Sequence, residues 1–417
     1  MSESAELYEF VALLVIAALA FVVPFLSTRI KLPVVVGEIV MGILVGLIAH
    51  LVLHFYGVDL FPDEYFEGET SPIGFLALMG FVFLMFLTGL EVNFDKLEEV
   101  GIRPILTGIS LFIITLSITV GFILLLNVFW EIPLIFALVL STTSVGIVVP
   151  TVRELGLLKT KIGQDILIYS LVIDIATMVL LPVFVVADRL HLGHLSADPL
   201  ELLAVLLIPL IFLMFFVIAR LGNLLIWNYP DTMAQFFKSD DSSEVGVRVS
   251  LMVMLIFVAL STFVGAEAIL GAFLAGAMMS MIFRQNAILE KKLFGIGYGF
   301  LIPIFFITVG ITFDFSVFMK LTALILVPLL IFVAFANKLI PAMILPGMDK
   351  DQKLTVGFLI SSRLSLAIAA AHIGRQSEIL DSTLESSIII LAVVTCILSP
   401  ILFRHYFNRL RHGFNSC

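Results

Sequence analysis

Charged side chains are scarce in this chain of 417 residues: aspartate, glutamate, lysine and arginine make up 13% of the sequence. About a quarter is ordinary for a soluble domain, so this scarcity excludes a water-soluble fold. Hydrophobic residues make up 61%, and the mean hydropathy is +1.17. A membrane-crossing helix needs about 20 apolar residues. We therefore expect a single polytopic membrane domain over residues 1–417, with no soluble domain.

Cysteine is also scarce. The two cysteines, Cys396 and Cys417, cannot form the disulfide framework of a secreted domain, and neither has a metal-ligand partner at the usual spacing. The basic residues are too few and too scattered to bind nucleic acid. No span brings together a nucleophile and a base, and the His-Glu-x-x-His metal motif is absent. The sequence therefore predicts neither an enzyme nor a bound cofactor.

Long apolar runs predict about thirteen transmembrane helices, and hence an all-α polytopic membrane protein. The predicted spans are 8–26, 33–53, 72–90, 104–128, 133–151, 163–186, 200–225, 246–265, 268–283, 294–312, 316–346, 354–373 and 386–403.

The basic residues predict the orientation of these spans. With the N-terminus outside, only Arg189, Lys320 and Arg375 fall on the outer side, Lys338 and Arg363 fall within spans, and the rest of the 23 basic residues fall on the inner side. Cytoplasmic loops carry such an excess of lysine and arginine. We therefore expect the C-terminus in the cytoplasm, and the composition suggests a prokaryotic inner membrane, with an organelle as the alternative.

Polar runs interrupt two of the predicted spans, at 140–146 in the fifth and at 360–365 in the twelfth. The offset of seven between these spans is odd, so they cross the bilayer in opposite directions. This pattern favours inverted repeats with two broken helices that cross near the midplane. The alternative is two intact helices whose hydroxyl groups bond to the preceding turn.

One carboxylate is predicted near the centre of the membrane. Asp174 lies about 11 residues into the sixth span, so at 1.5 Å per residue it is roughly 16 Å deep in a hydrocarbon core about 30 Å thick. A proton and a small cation would compete for its oxygen atoms, and that competition couples their movements in opposite directions. The alternative is a buried ion-pair member without a role in transport.

Three further ionisable residues lie within or near spans. Lys338 either pairs with Asp174, and yields when a cation arrives, or reaches the inner interface. Arg363 cannot release its proton at working pH, which suits it to neutralising helix ends or a carboxylate, in a structural or a gating role. Glu38 either lines a cytoplasmic funnel or is an acid favoured at a helix start.

Several segments follow one another in a characteristic order: Leu-Pro-Val-Val-Val-Gly-Glu at 32–38, Phe-Leu-Thr-Gly-Leu-Glu at 86–91, Thr-Thr-Ser-Val-Gly-Ile at 142–147, Glu-Leu-Gly-Leu-Leu-Lys-Thr at 154–160, Asp174, Ala-Ile-Leu-Gly-Ala-Phe-Leu-Ala-Gly at 268–276, Pro-Ile-Phe-Phe-Ile-Thr-Val-Gly at 303–310, Asn337-Lys338 and Ser362-Arg363. Each block alone is unspecific. In this order they resemble the monovalent cation:proton antiporter-2 family over nearly the whole chain.

The resemblance implies a sodium/proton antiporter-like fold, a homodimer in membrane lipid and an elevator-like alternating-access mechanism. It implies core helices around 72–186 and 294–403, and scaffold and dimer helices around 8–53 and 200–283. It also implies roles for single residues. The expected cation- and proton-binding residues are Asp174, Thr142, Thr143 and Ser144, and those expected for gating or charge compensation are Lys338, Arg363 and Glu38.

The chain departs from the family directly before Asp174, where relatives commonly have Asp, Asn or Gln and this sequence has Ile173. If Asp174 is the one titrating carboxylate at the site and Lys338 stays charged, one cation replaces one proton, so we predict electroneutral sodium/proton exchange. Potassium/proton exchange is the leading alternative, because one carboxylate with hydroxyl groups does not fix the size of the ion, and lithium is a further candidate. An ion channel is the alternative from a different class.

Overall fold

The computed structural model describes residues 3–30, 32–57, 61–62, 65–66, 71–90, 102–126, 133–157, 160–189, 244–263, 268–283, 287–315, 320–376 and 380–414. Every regular element in these ranges is a helix, so the predicted all-α fold class is confirmed. The helices are α1 (Glu3–Ile30), α2 (Val34–Tyr56), α3 (Pro72–Leu90), α4 (Ile102–Leu126), α5 (Pro133–Ser141), α6 (Val145–Glu154), α7 (Lys161–Arg189), α8 (Val245–Phe263), α9 (Ala268–Phe283), α10 (Ala287–Ile296), α11 (Ile302–Ile311), α12 (Leu321–Ala342), α13 (Lys350–Ile360), α14 (Ser365–Gln376) and α15 (Ser382–Phe414). A π-helical segment, Gly297–Leu301, joins α10 to α11.

The predicted spans agree closely with these helices. Twelve of the thirteen correspond to a described helix or pair of short helices, and the bounds of 72–90 and 268–283 match to the residue. The remaining span, 200–225, lies outside the described residues. Within the described part of the chain, nine segments are long and apolar enough to cross a membrane.

The chain packs as two compact units, of which the first comprises 1–94 and 198–313 and the second 95–197 and 314–417. In the first unit, α11 packs against both α2 and α3. This division differs from the expected core and scaffold groups, because it places α3 and α11 with α2 rather than with the broken helices. Which helices move in transport stays a prediction.

Glycine permits the closest helix contacts of the first unit. A Cβ atom at Gly310 of α11 would meet the Cα atom of Gly42 in α2 at 2.8 Å, and a Cβ atom at Gly276 of α9 would collide with the carbonyl oxygen of Phe86 in α3. Only a residue without a side chain lets the two backbones approach so closely. These glycines therefore fix which helix faces meet.

The second unit contains the same order of elements twice: α4, the pair α5 and α6, and α7, and then α12, the pair α13 and α14, and α15. In each set the first helix packs against the last, and the last packs against both short helices. Between the sets, α6 packs against α15 and α14 packs against α7. This reciprocal packing is the pattern of a structural repeat, and it brings the two interrupted helices together.

Candidate functional site

The first interruption is a true break in the helix. The hydroxyl group of Ser141 donates to the Ala137 carbonyl at 2.6 Å, so it does bond to the preceding turn. The chain nevertheless leaves the helix after Ser141, and α6 begins only at Val145. The intervening Ser144 has an extended backbone, with φ −96° and ψ 107°. The prediction of a broken helix is therefore confirmed for the fifth span.

The second interruption lies directly against the first. The backbone N–H of Ser144 donates to the Ser362 carbonyl at 2.8 Å, and the Thr143 hydroxyl donates to the Ile360 carbonyl at 2.9 Å. Thr143, Ile360 and Ser362 are all at most 1% exposed. Because buried backbone groups must find partners, each break supplies the partners that the other lacks. The second of the two predicted breaks is thereby confirmed as well.

Lys338 of α12 reaches the C-terminal end of α5. Its Nζ atom donates to the Ser141 carbonyl at 2.6 Å and to the Thr143 hydroxyl at 2.9 Å, and the residue is 1% exposed. The last carbonyl groups of a helix have no partner within the helix and carry partial negative charge. The ammonium group therefore supplies a hydrogen-bond donor to a carbonyl group at the C-terminal end of α5. The alternative in which Lys338 extends to the inner interface is wrong.

Arg363 joins the two breaks through its guanidinium group. Its Nε and Nη2 atoms donate to the Leu140 carbonyl at 2.9 and 2.6 Å, and Nη1 donates to the Ser361 carbonyl at 2.8 Å. Nη2 also donates to the Ala334 carbonyl and to Asn337 Oδ1, both at 2.9 Å. The residue is fully buried. These hydrogen-bond partners are all neutral, and carbonyl groups at helix ends stabilise the charge of the guanidinium group.

Asn337 was not among the predicted site residues, yet it completes this network. Its Nδ2 atom donates to Thr119 Oγ1 and to the Leu140 carbonyl, both at 2.9 Å, while its Oδ1 atom accepts from Arg363. The residue is fully buried. The signal in the sequence is a polar amide directly before Lys338 within an apolar span. Its partners could not be read from the sequence, because one of them is a backbone carbonyl.

Asp174 lies on α7 and interacts electrostatically with Lys338. Asp174 is partly buried, whereas Ile173 before it is fully buried. One turn earlier on the same face of α7, Ser170 is fully buried, and its hydroxyl oxygen has no hydrogen-bond partner among the described residues. A buried polar atom without a partner is uncommon. Asp174 thus keeps some exposure, and Ser170 one turn earlier on the same face of α7 has a hydroxyl group without a partner among the described residues.

The structure brings together six of the seven predicted site residues in the second unit: Thr142, Thr143, Ser144, Lys338, Arg363 and Asp174. The hydroxyl group of Thr142 donates to the Val139 carbonyl at 3.0 Å. The seventh, Glu38, lies in α2 of the first unit and is 3% exposed. Its role in gating stays a prediction.

Comparison with known proteins identifies the family. The family model described as sodium/hydrogen exchanger, transmembrane, matches residues 16–408. The chain belongs to the sodium/hydrogen exchanger family. The resemblance predicted from the ordered motifs is confirmed at this level, and the assignment of the chain to the antiporter-2 branch stays a prediction. Family membership, together with the apolar helices, shows that the chain is an integral membrane protein.

Two relatives and one solved structure resemble this chain over most of its length. It is 35% identical to the putative Na⁺/H⁺ antiporter YjbQ of Bacillus subtilis, over 95% of this chain and 63% of the relative. It is 28% identical to the probable Na⁺/H⁺ antiporter 3 of Methanocaldococcus jannaschii, over 94% of this chain and 95% of the relative. The chain thus spans less than two thirds of the Bacillus protein.

The solved structure is that of the sodium proton antiporter MjNhaP1 from Methanocaldococcus jannaschii. It superposes with a TM-score of 0.63 and 15% identity, over 96% of the present chain and 97% of the solved chain. At this identity the match shows the fold alone. The predicted sodium/proton antiporter-like fold is therefore confirmed.

Proposed function

We propose that this chain is a secondary active antiporter that exchanges a monovalent cation, sodium in the first place, for protons. One observation carries the proposal: the partly buried carboxylate of Asp174 interacts with the fully buried ammonium of Lys338, beside two crossed helix breaks. An ionisable group at membrane depth is costly and marks an ion pathway. The names of the relatives agree with sodium as the cation.

The chemistry of the site accounts for coupled exchange. A carboxylate binds either a proton or a sodium ion through the same oxygen atoms, so each ion displaces the other. The Ser170 hydroxyl is placed to add a neutral oxygen ligand, and the backbone freed at the breaks offers further carbonyl oxygens. The hydroxyl of Thr143 has a smaller part in this proposal, since it already bonds to Lys338 and to the Ile360 carbonyl.

The proposed stoichiometry is one cation for one proton. Asp174 supplies one titrating group, and Ile173 beside it cannot take a second proton. The exchange is then electroneutral. Potassium remains the second candidate ion because hydroxyl and carbonyl oxygens coordinate either ion, and the choice rests on the size of the site.

The setting is proposed from the sequence. We place the chain in a prokaryotic inner membrane with its N-terminus outside and its C-terminus in the cytoplasm, since the inner loops carry most of the basic residues. We further propose a homodimer in which the helices that carry the breaks move as an elevator. The expected core helices remain those of residues 72–186 and 294–403, with scaffold helices at 8–53 and 200–283.

The test uses the full chain in proteoliposomes loaded with a pH-sensitive dye that is quenched by an imposed proton gradient. Sodium, lithium, potassium and rubidium are added separately, and dequenching reports proton efflux. We expect sodium to drive dequenching in the wild type and Asp174→Asn to abolish it. Asp165→Asn is the matched control, because Asp165 precedes Asp174 by nine residues on α7 and is therefore rotated about 180° from it.

Each alternative has its own outcome. Retained exchange in Asp174→Asn would remove the central assignment. Potassium acting at lower concentration than sodium would favour potassium/proton exchange. Ion flux that ignores an opposing proton gradient would favour a channel, and a current on solid-supported membranes would contradict one-for-one exchange.

A further inference from the structure

The first unit contains a buried carboxyl group that the proposed exchange does not use. Glu38 lies in α2, four residues after its first residue, Val34, and is 3% exposed. No described residue forms a hydrogen bond or an ion pair with its carboxyl group, and burial is the main influence on its ionisation. The group therefore has little contact with water and no described protein partner that would stabilise a negative charge.

Two close helix contacts enclose this part of α2. A Cβ atom at Gly37 would collide with the Oγ atom of Ser27 in α1. Gly42 follows Glu38 by one turn on the same face of α2, and a Cβ atom there would collide with the carbonyl oxygen of Ile307 in α11. The helices α1 and α11 also pack against each other. Helices that approach this closely leave little room for water beside Glu38.

The helices that pack against α2 bring no charge that could compensate an ionised Glu38. The segment Ile302–Ile311, which forms α11, has no titratable residue. On α1, the titratable residues with described side chains are Glu9, which accepts from the Ser71 hydroxyl at 3.0 Å, and Arg29, which is exposed. The other titratable residues of α2 itself lie at least about three turns beyond Glu38: His50, His54 and Tyr56.

The helix end does not stabilise the charge either. Glu38 lies beyond the first turn of α2, and the favourable effect of a helix N-terminus on a carboxylate falls off within that turn. A buried charge without a partner is costly, and such a group takes up a proton instead. In the packed arrangement of α1, α2 and α11, Glu38 is therefore neutral.

We propose that Glu38 is a second proton-binding site, separate from Asp174, and that the close packing of α2 against α1 and α11 requires its protonated form. Charge compensation, the role that the family resemblance implies, would need an ionised carboxylate instead. As the pH rises, ionisation of Glu38 opposes the packing, so the contacts of α2 loosen in alkaline conditions. This proton belongs to the first unit and is not part of the exchange at Asp174.

The test compares the melting temperature of the full chain in detergent with that of Glu38→Gln as the pH rises. An unfolded glutamate ionises above about pH 4.3, whereas Glu38 keeps its proton in the packed state, so the wild type should lose stability as the pH rises. Glutamine has a similar shape and cannot ionise. Glu38→Gln should therefore melt about 2–4 °C above the wild type at about pH 8, and the difference should shrink toward about pH 5.

Glu290→Gln is the matched control, because Glu290 lies in α10 of the same unit and is partly exposed. Water already stabilises its charge, so this variant should gain no stability over the wild type as the pH rises. Infrared difference spectroscopy tests the proton directly. At neutral pH the folded wild type should show the band of a protonated carboxyl group that is missing in Glu38→Gln.

The proposal is overturned if Glu38→Gln gains nothing over the wild type between the two pH values, or if that infrared band persists in the variant. If Glu38→Gln does not fold, Glu38→Met takes its place, since methionine is a neutral side chain of similar length. Failure of both neutral variants to fold would show that the charge itself is needed, and would also overturn the proposal. Neither measurement involves ion exchange, so a chain that exchanged no cation for protons would refute the proposed function and leave this inference standing.

Discussion

Removing the ammonium of Lys338 should make proton release from Asp174 harder without abolishing exchange. In Lys338→Ala the carboxylate loses the cation with which it interacts. A neighbouring cation typically lowers the pH at which a carboxylate ionises by about 1–3 units, and screening by water and neighbouring dipoles reduces this. The half-maximal pH of exchange should therefore move by about one to two units toward alkaline values.

The same substitution should cost little stability. It removes two hydrogen bonds from a charged donor, to the Ser141 carbonyl and to Thr143, each contributing about 1.5–3 kcal/mol. It also removes the cost of burying an ammonium group, which is several kcal/mol. The two effects oppose each other, so we expect a net loss of about 1–3 kcal/mol and a folded protein in detergent.

The assay is sodium-driven dequenching across a range of internal and external pH, with Lys353→Ala as the matched control. Lys353 also donates its Nζ atom to a backbone carbonyl, that of Met343 at 3.0 Å, and is partly buried. Its removal should leave the half-maximal pH where it is. Exchange by Lys338→Ala with the wild-type pH dependence would refute the reasoning, because Lys338 would then serve the end of α5 alone.

Two further predictions concern the framework of the site. Arg363→Lys should lower the free energy of unfolding by about 3 kcal/mol or more, measured by thermal unfolding in detergent. The planar guanidinium group donates to several carbonyl groups at once, and the single ammonium group of a lysine cannot replace all of these hydrogen bonds. Gly42→Ala should lower the melting temperature, because its Cβ atom would collide with the Ile307 carbonyl; overpacking of this kind costs about 1–3 kcal/mol. Gly121→Ala is the control, since nothing lies within 4 Å of its Cβ position, and it should be neutral or slightly stabilising.

The sequence alone reveals those residues whose polarity conflicts with the apolar helix that contains them. A carboxylate such as Asp174 in an apolar helix and hydroxyl runs such as 141–144 are costly in a membrane, so their presence alone marks them. The spans could be placed for the same reason, since hydrocarbon thickness sets their length. These constraints act on one segment at a time, and a single sequence exposes them.

What the sequence could not give depends on contacts between segments. The carbonyl of Leu140 accepts from both Arg363 and Asn337, but every residue has a carbonyl, and nothing in a leucine marks this one. The sequence alone does not determine which groups the Lys338 side chain contacts, for the same reason. A long side chain can extend toward either end of its helix, and its direction depends on acceptors in other segments. The grouping of α3 and α11 with α2 likewise depends on glycine contacts such as that of Gly42 with Gly310, which no apolar run encodes.

The position of Lys338 bears on stoichiometry. A buried lysine whose single partner was Asp174 would lose that partner when a cation bound the carboxylate, and the uncompensated ammonium would tend to release its proton. Lys338 instead keeps the Ser141 carbonyl and the Thr143 hydroxyl as acceptors, neither of which the cation must take. These two acceptors stay available to Lys338 while Asp174 changes partner. The proposed exchange of one cation for one proton requires that Lys338 keep its proton throughout, so that the proton that moves is that of the Asp174 carboxylate.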